Sequence, residues 1–93
     1  MAKKIAVKHA HHLTREEACA KLKELTTLIA ERYKVQIQMA GDNRANVEGR
    51  GVNGFAQVDD SQAEIDLSVG LPASLVAGKI ESTIQEYMAK YFA

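Results

Sequence analysis

Alternating apolar and polar residues predict five β-strands in this chain. The alternation is clear in residues 4–9, 35–39 and 63–69, where the larger apolar side chains recur at every second position. That period is typical of a strand with one buried and one solvent-facing side. Residues 44–58 alternate in the same way, but three glycines interrupt them. We interpret this segment as a hairpin with its turn at Asn53-Gly54; the alternative is one long strand bent by a bulge.

The first helix is predicted from its start signal. Thr14 and Glu17 have the spacing of a capping box, in which each side chain accepts a hydrogen bond from the other residue's backbone. The apolar stripe that follows, from Ala18 to Tyr33, recurs at intervals of three and four residues. We therefore expect a helix that begins after Thr14 and buries one stripe.

A second helix is predicted near the C-terminus. Apolar residues from Val76 to Tyr91 have helical spacing, and Pro72 is tolerated in the first turn of a helix, so the helix is predicted to begin near it. Glycine is unfavourable inside a helix. Gly78 therefore predicts close packing of this helix against a strand or against the first helix.

The order of these elements predicts the fold class. Every strand has a single apolar face, so both helices must cover the same side of the sheet. The sequence order β-α-β-β-β-β-α predicts an α+β fold, a two-layer sandwich with a largely antiparallel sheet and two helices on one face. The chain has 93 residues, which predicts one domain over residues 1–93. The other face of the sheet is expected to be wet or covered by a partner.

Composition narrows the classes of function. A chain of this length has little room for a large, enclosed catalytic pocket. Its 12 basic residues balance 12 acidic ones, which argues against a nucleic-acid binder. No segment approaches the about 18 apolar residues of a membrane span, and no apolar signal-peptide core follows the N-terminal lysines. The single cysteine excludes an internal disulfide. We expect a cytoplasmic protein.

The charges are unevenly spread along the chain. Residues 1–34 carry eight basic and four acidic side chains, whereas residues 35–70 carry two and six. Such an asymmetry can orient a partner or a second copy of the chain. We therefore expect a molecule that is neutral in sum but polar from end to end.

Candidate chemistry is sparse. His9, His11 and His12 form the one cluster of potential metal ligands, and His9 and His11 share a strand parity that places both rings on one side. No third ligand has a defined spacing, so we predict no metal site. Cys19 lies near a helix N-terminus, where thiols are often reactive, but no oriented base is apparent in the sequence. We predict no enzyme activity and no cofactor.

Two further motifs have structural or binding interpretations. Gly51 and Gly54 belong to a spacing typical of dinucleotide loops, but strand rather than helix follows, so a turn or bend is the better interpretation. Tyr87, Tyr91 and Phe92 concentrate aromatic area at the end of the second helix. Phe92 lies off the centre of the buried stripe and is the best candidate for an apolar contact surface, but packing in the core is the favoured interpretation.

A pattern spread over residues 4–90 resembles a known family. It consists of the strand Ile5–Lys8, His12-Leu13-Thr14 with Glu17-Ala18, Gly41-Asp42, Gly51-Val52-Asn53-Gly54, Leu67–Leu71, and Lys79-Ile80-Glu81 with Ile84. These residues resemble the polyhydroxyalkanoic acid system proteins, small bacterial proteins of storage-polyester metabolism. The chain departs from the family at Leu71-Pro72, where a glycine is expected after the leucine. Here the glycine, Gly70, precedes it.

The resemblance implies a setting rather than a reaction. We expect a non-catalytic accessory protein whose partners are the polyhydroxyalkanoate granule, a granule protein or a second copy of the chain. The alternative is a small-ligand protein that binds an acyl chain or hydroxyacid in a cleft between the C-terminal helix and the sheet. A cavity among Ile37, Val47, Ile65, Ile84 and Met88 would favour that alternative.

Overall fold

The computed structural model describes residues 3–70 and 73–92 and confirms the predicted order of elements. The elements are β1 (Lys3–Ala10), α1 (Arg15–Tyr33), β2 (Gln36–Met39), β3 (Arg44–Gly49), β4 (Val52–Val58), β5 (Gln62–Val69), a short 3₁₀ helix (Ala73–Val76) and α2 (Ala77–Tyr91). The predicted α+β class is confirmed.

The five strands form one antiparallel sheet in the order β1-β5-β4-β3-β2. From β2 to β5 each strand pairs with the next one in the chain. β1 pairs with the edge of β5 that faces away from β4. In the register, Ile5 lies opposite Leu67 and Val7 lies opposite Ile65. These pairs put the apolar side chains of neighbouring strands on the same face, as the alternation predicts.

Both helices cover that apolar face. Leu22, Leu25 and Ile29 of α1 and Ile84 and Met88 of α2 are at most 2% exposed. They join the inward-facing residues of the sheet in one continuous hydrophobic core. The arrangement follows from the sequence, because each strand offers apolar side chains to one side alone.

The two helices begin in different ways. At α1 the capping box is present: the Glu17 N–H donates to Thr14 Oγ1 at 3.2 Å, and the Thr14 N–H donates to Glu17 Oε1 at 3.0 Å. Pro72, near which the second helix was predicted to begin, lies outside the described residues. The chain forms a 3₁₀ helix up to Val76, and α2 begins at Ala77 without a side-chain hydrogen bond at its N-cap.

Residues 44–58 form a hairpin, but the predicted position of its turn is wrong. The turn lies at Arg50-Gly51, which have φ values of 51° and 79°, rather than at Asn53-Gly54. Positive φ at both central residues is the geometry of the turns that suit a twisted hairpin. The sequence predicts the turn at the wrong residues because arginine rarely occupies a turn position with positive φ.

Gly54 lies inside β4 and has a different role. A Cβ at this position would overlap the backbone oxygen of Asp66 and lie 2.8 Å from Cα of Leu67 on β5. Only glycine therefore allows the two strands to approach this closely. The expectation that Gly78 marks close helix packing is wrong, because a Cβ there would meet nothing within 4 Å.

These two glycines provide a matched test of the packing. We expect Gly54→Ala to lower the free energy of unfolding by about 3 kcal/mol, because the added methyl overlaps backbone atoms. Gly78→Ala is expected to raise it by up to about 1 kcal/mol, because alanine is the better helix former and has room. Urea denaturation measures both, and equal stability of the two variants would contradict the assigned roles.

Candidate functional site

His11 is the most deeply placed ionisable side chain at the loop that follows β1. It is 3% exposed and lies beyond the end of that strand. Its backbone N–H donates to the carbonyl oxygen of Ser61 at 3.0 Å, which extends the pairing of β1 with β5 into the neighbouring turn. The side chain lies against Phe92, with the ring centroids 5.8 Å apart.

Both ring nitrogens of His11 are engaged. Nδ1 accepts the Leu13 N–H at 3.1 Å, so the network assigns the ring proton to Nε2, which donates to the carbonyl oxygen of Asp59 at 2.8 Å. The imidazole thus connects the start of α1 to the β4–β5 turn. A metal ion or a substrate would have to displace one of these bonds, so we assign His11 a structural role.

The other two histidines lie in different surroundings from His11. His9 is half-buried and its Nδ1 contacts the carbonyl oxygen of Ala10 at 2.8 Å, whereas His12 is exposed. Within residues 3–70 and 73–92, no group of three histidine, cysteine, aspartate or glutamate side chains is arranged to hold a metal ion.

Asp59 fixes the turn that His11 contacts. Its Oδ1 accepts the backbone N–H groups of Ser61 and Gln62, each at 2.8 Å. These bonds, first that from Ser61 and then that from Gln62, hold the pKa of the Asp59 carboxyl below its ordinary value. The Glu17 pKa is also lowered, chiefly because the carboxylate accepts the Thr14 backbone N–H. Both carboxylates serve local structure.

Phe92 packs in the core, the favoured of the two interpretations, and does not extend the apolar surface outward. Phe92 is completely buried, and its N–H donates to the Met88 carbonyl oxygen at 2.9 Å as the last bond of α2. Its ring joins the hydrophobic core and lies against His11. Tyr87 and Tyr91 are half-buried, and the Lys21 ammonium lies 5.8 Å from the centroid of the Tyr91 ring.

Cys19 is buried on the early turns of α1. The groove beside it has a volume of about 490 Å³. It is lined by Arg15, Glu16, Ala20, Lys23 and Asp42, and none of these is a histidine that could act as a base. Arg15 and Asp42 form an ion pair across this groove at 3.1 Å. The geometry is that of a packed cysteine beside a charged surface.

The space between α2 and the sheet is filled with side chains. Val47, Ile65, Ile84 and Met88 lie in the core at 0–2% exposure, and Ile37 is half-buried at the edge strand. The surface groove that Ile37 lines opens on the opposite side, beside Gln36 and Asn46. These residues therefore do not enclose the cleft that a small-ligand protein would need.

The other face of the sheet is uncovered by the described residues and bears a row of linked polar side chains. Gln57 Nε2 donates to Glu64 Oε1 at 2.9 Å, and the Lys8 ammonium lies 3.8 Å from Glu64 Oε2. The Arg44 guanidinium reaches Gln57 Oε1 at 3.5 Å. The row crosses β1, β5, β4 and β3, so the open face is ordered as well as polar.

Phe55 is the aromatic side chain of this open face. The Arg44 guanidinium lies 4.2 Å from the centroid of its ring, close enough for a cation–π contact. The sequence analysis did not single out Phe55. The signal was available, because Ala56 and Val58 alternate inward and their neighbour must therefore face outward.

These features define a class: small α+β proteins with a filled core and one sheet face that the described residues leave open. A family model described as "Putative polyhydroxyalkanoic acid system protein" matches residues 5–92, and the chain belongs to this family. The resemblance read from the sequence is confirmed. Neither a curated protein nor a solved structure matches the chain.

Neither helix of the described ranges has the length and the apolar run needed to cross a membrane.

The His11 contacts predict a large difference between neighbouring histidines. We expect His11→Ala to lower the free energy of unfolding by about 2–4 kcal/mol, because it removes two hydrogen bonds and leaves a cavity beside Phe92. His12→Ala, at an exposed position, should change it by no more than about 0.5 kcal/mol. Urea denaturation measures both variants. A His11→Ala variant as stable as His12→Ala would refute the structural role.

The lowered carboxyl pKa values predict a stability that rises with pH in the acid range. A folded-state pKa below the ordinary values of 3.8 for Asp59 and 4.5 for Glu17 means that the unfolded chain binds more protons. The stabilisation is complete above these values and is lost as the pH falls through the lower, folded pKa. Asp59→Asn and Glu17→Gln preserve the acceptor oxygens, so each should flatten the decline of the melting temperature on acidification. An unchanged slope in both would contradict the assignment.

Proposed function

We propose that this chain is a non-catalytic accessory protein of the polyhydroxyalkanoate system that acts by binding a granule surface or a granule protein. Family membership supports the metabolic setting. One observation carries the binding role: the core is filled, whereas a whole face of the sheet is left uncovered by the described chain. A domain built in this way presents surfaces rather than an enclosed site.

The functional groups of the described residues also favour binding over catalysis. His11, Asp59 and Glu17 use their polar atoms to hold a loop, a turn and a helix start. Cys19 is packed into the helix layer. A general base needs a nitrogen or oxygen free to reach a substrate, and these groups are committed to backbone partners instead.

Several side chains are candidates for the contact with a granule protein. Tyr87 and Tyr91 are half-buried on α2 and leave part of each ring accessible. On the open sheet face, Phe55 and Arg44 present a stacked aromatic and cationic pair. Tyrosine, phenylalanine and arginine are enriched at protein interfaces, so these positions suit a protein partner better than a free small molecule.

A second copy of the chain is a further partner that we propose. The edge strand β2, Gln36–Met39, contains neither a proline nor a charged residue, so its outer backbone groups are open to pairing with another strand. The opposite edge, β1, carries Lys3, Lys4 and Lys8, which discourage such pairing. Antiparallel pairing of two β2 strands would build a symmetric dimer.

Fractionation of polyester-accumulating cells tests the binding role. We expect the tagged chain to sediment with granules purified on a density gradient, and to leave that fraction in cells that make no polymer. A His9→Ala/His12→Ala/Cys19→Ser variant should sediment as the wild type does, because the proposed binding uses none of these side chains. It retains His11, and with it the fold.

The control variant also separates binding from chemistry. Absence of the wild-type chain from granules, and from granule proteins captured after cross-linking, would overturn the proposal. Loss of the triple variant alone from the granules would show that these side chains take part, and would favour a catalytic or metal-dependent role instead.

A further inference from the structure

One end of the molecule exposes a pair of apolar side chains. Leu75 and Val76 are 78% and 51% exposed, and both belong to the 3₁₀ helix before α2. A shallow groove of about 310 Å³ extends from Val76 to Arg32, Tyr33 and Lys79. The apolar pair thus adjoins basic side chains from both helices.

The topology gathers further positive charge at this end. Here α1 and β3 end, while β1, β4 and α2 begin, as the pairing of Lys3 with Val69 and of Gly49 with Val52 shows. We call it the basic end. Its basic side chains, all exposed, are Lys3, Lys4, Arg32, Lys34, Arg50 and Lys79.

The charge of the basic end is not cancelled locally. The acidic residues near it are Glu31, Glu48 and Glu81, so six basic residues stand against three acidic ones. The opposite end has the reverse excess. It contains Glu16, Glu17, Asp42, Asp59, Asp60, Glu64 and Glu86 against Lys8, Arg15, Arg44 and Lys90. The neutral chain is therefore polarised along one direction.

Three residues of the basic end are unfavourable for local stability. Lys34 and Arg50 have φ values of 57° and 51°, in the left-handed region where glycine or asparagine costs less. Val76 occupies the N-cap of α2 and makes no side-chain hydrogen bond there, where serine or aspartate is preferred. Residues with unfavourable backbone conformations or unfavourable helix caps are expected to cluster where a surface has a function.

We propose that the basic end docks onto an anionic lipid surface, with Leu75 and Val76 entering its apolar layer and the surrounding lysines and arginines contacting phosphate headgroups. The basic residues come from separate segments around the apolar pair, so they form a broad field rather than a groove. Such a field matches a planar surface that is negative outside and apolar beneath. This inference rests on the proposed binding function and names the surface.

Vesicle sedimentation tests the proposal. The full chain is mixed with vesicles of phosphatidylcholine that contain about one quarter phosphatidylglycerol, and with vesicles of phosphatidylcholine alone. We expect binding to the anionic vesicles, weaker binding to the neutral ones, and a loss of affinity as salt is raised, because salt screens exposed charges.

Paired variants assign the contact to the basic end. Lys34→Gly/Arg50→Gly should weaken vesicle binding roughly tenfold or more while leaving the melting temperature unchanged or raised, because glycine relieves the left-handed backbone. Leu75→Ser/Val76→Ser should likewise weaken binding without loss of the fold, since both side chains are exposed. The control Lys23→Gln/Lys90→Gln removes two charges elsewhere and should retain most of the binding.

Each contrary result has a distinct meaning. Equal loss in the control and in the Lys34/Arg50 variant would overturn the assignment in favour of general charge attraction. Binding to soluble polyglutamate as tightly as to vesicles would indicate an acidic protein partner. If the wild-type chain does not bind vesicles but still sediments with granules, this inference is wrong and the proposed function is not contradicted. Vesicle binding without granule association would overturn the proposed function alone.

Discussion

The single apolar face of the sheet is the constraint on which the rest of this structure depends. Since every strand alternates, each can bury side chains on one side alone, and both helices must lie there. The helices then fill the core completely, with Ile84 and Met88 fully buried. The same constraint leaves the other face to polar side chains such as Gln57 and Glu64, which bond to one another across strands. A filled interior and an uncovered exterior are therefore two results of one pattern.

Polar contacts between distant parts of the chain connect the segment after β1 to the β4–β5 turn. His11 connects the chain after β1 to the turn between β4 and β5, and Phe92 of the C-terminal segment packs against it. Three parts of the chain that are distant in sequence thus meet at one imidazole. Because Asp59 fixes the turn with its side chain and offers its carbonyl oxygen to the ring, the turn and the histidine order each other. Such mutual dependence is typical of a satisfied buried polar group.

The sequence predicts the parts of the fold whose signals are local. The capping box at Thr14 and the alternation of β5 depend on neighbours within a few residues, and both are present. The position of the turn in the central hairpin was not predicted, because Arg50 adopts a backbone conformation that its residue type disfavours. Asn53-Gly54 is a favourable turn sequence but lies within β4. The burial of Phe92 continues the four-residue spacing of Ile80, Ile84 and Met88, a signal that the sequence analysis did not use. The spacing cannot indicate that the ring contacts His11, because that residue comes from a distant part of the chain.

The position of β1 in the sheet has a consequence for how the chain reaches this fold. β1 pairs with β5 although four elements lie between them in the chain, so Ala10 cannot pair until Gln62 has been synthesised. The meander from β2 to β5 contains only contacts between successive strands and can form earlier. Until β1 docks against it, the outer edge of β5 has unpaired backbone groups, and an unpaired edge favours the exchange of strands between two copies of the chain.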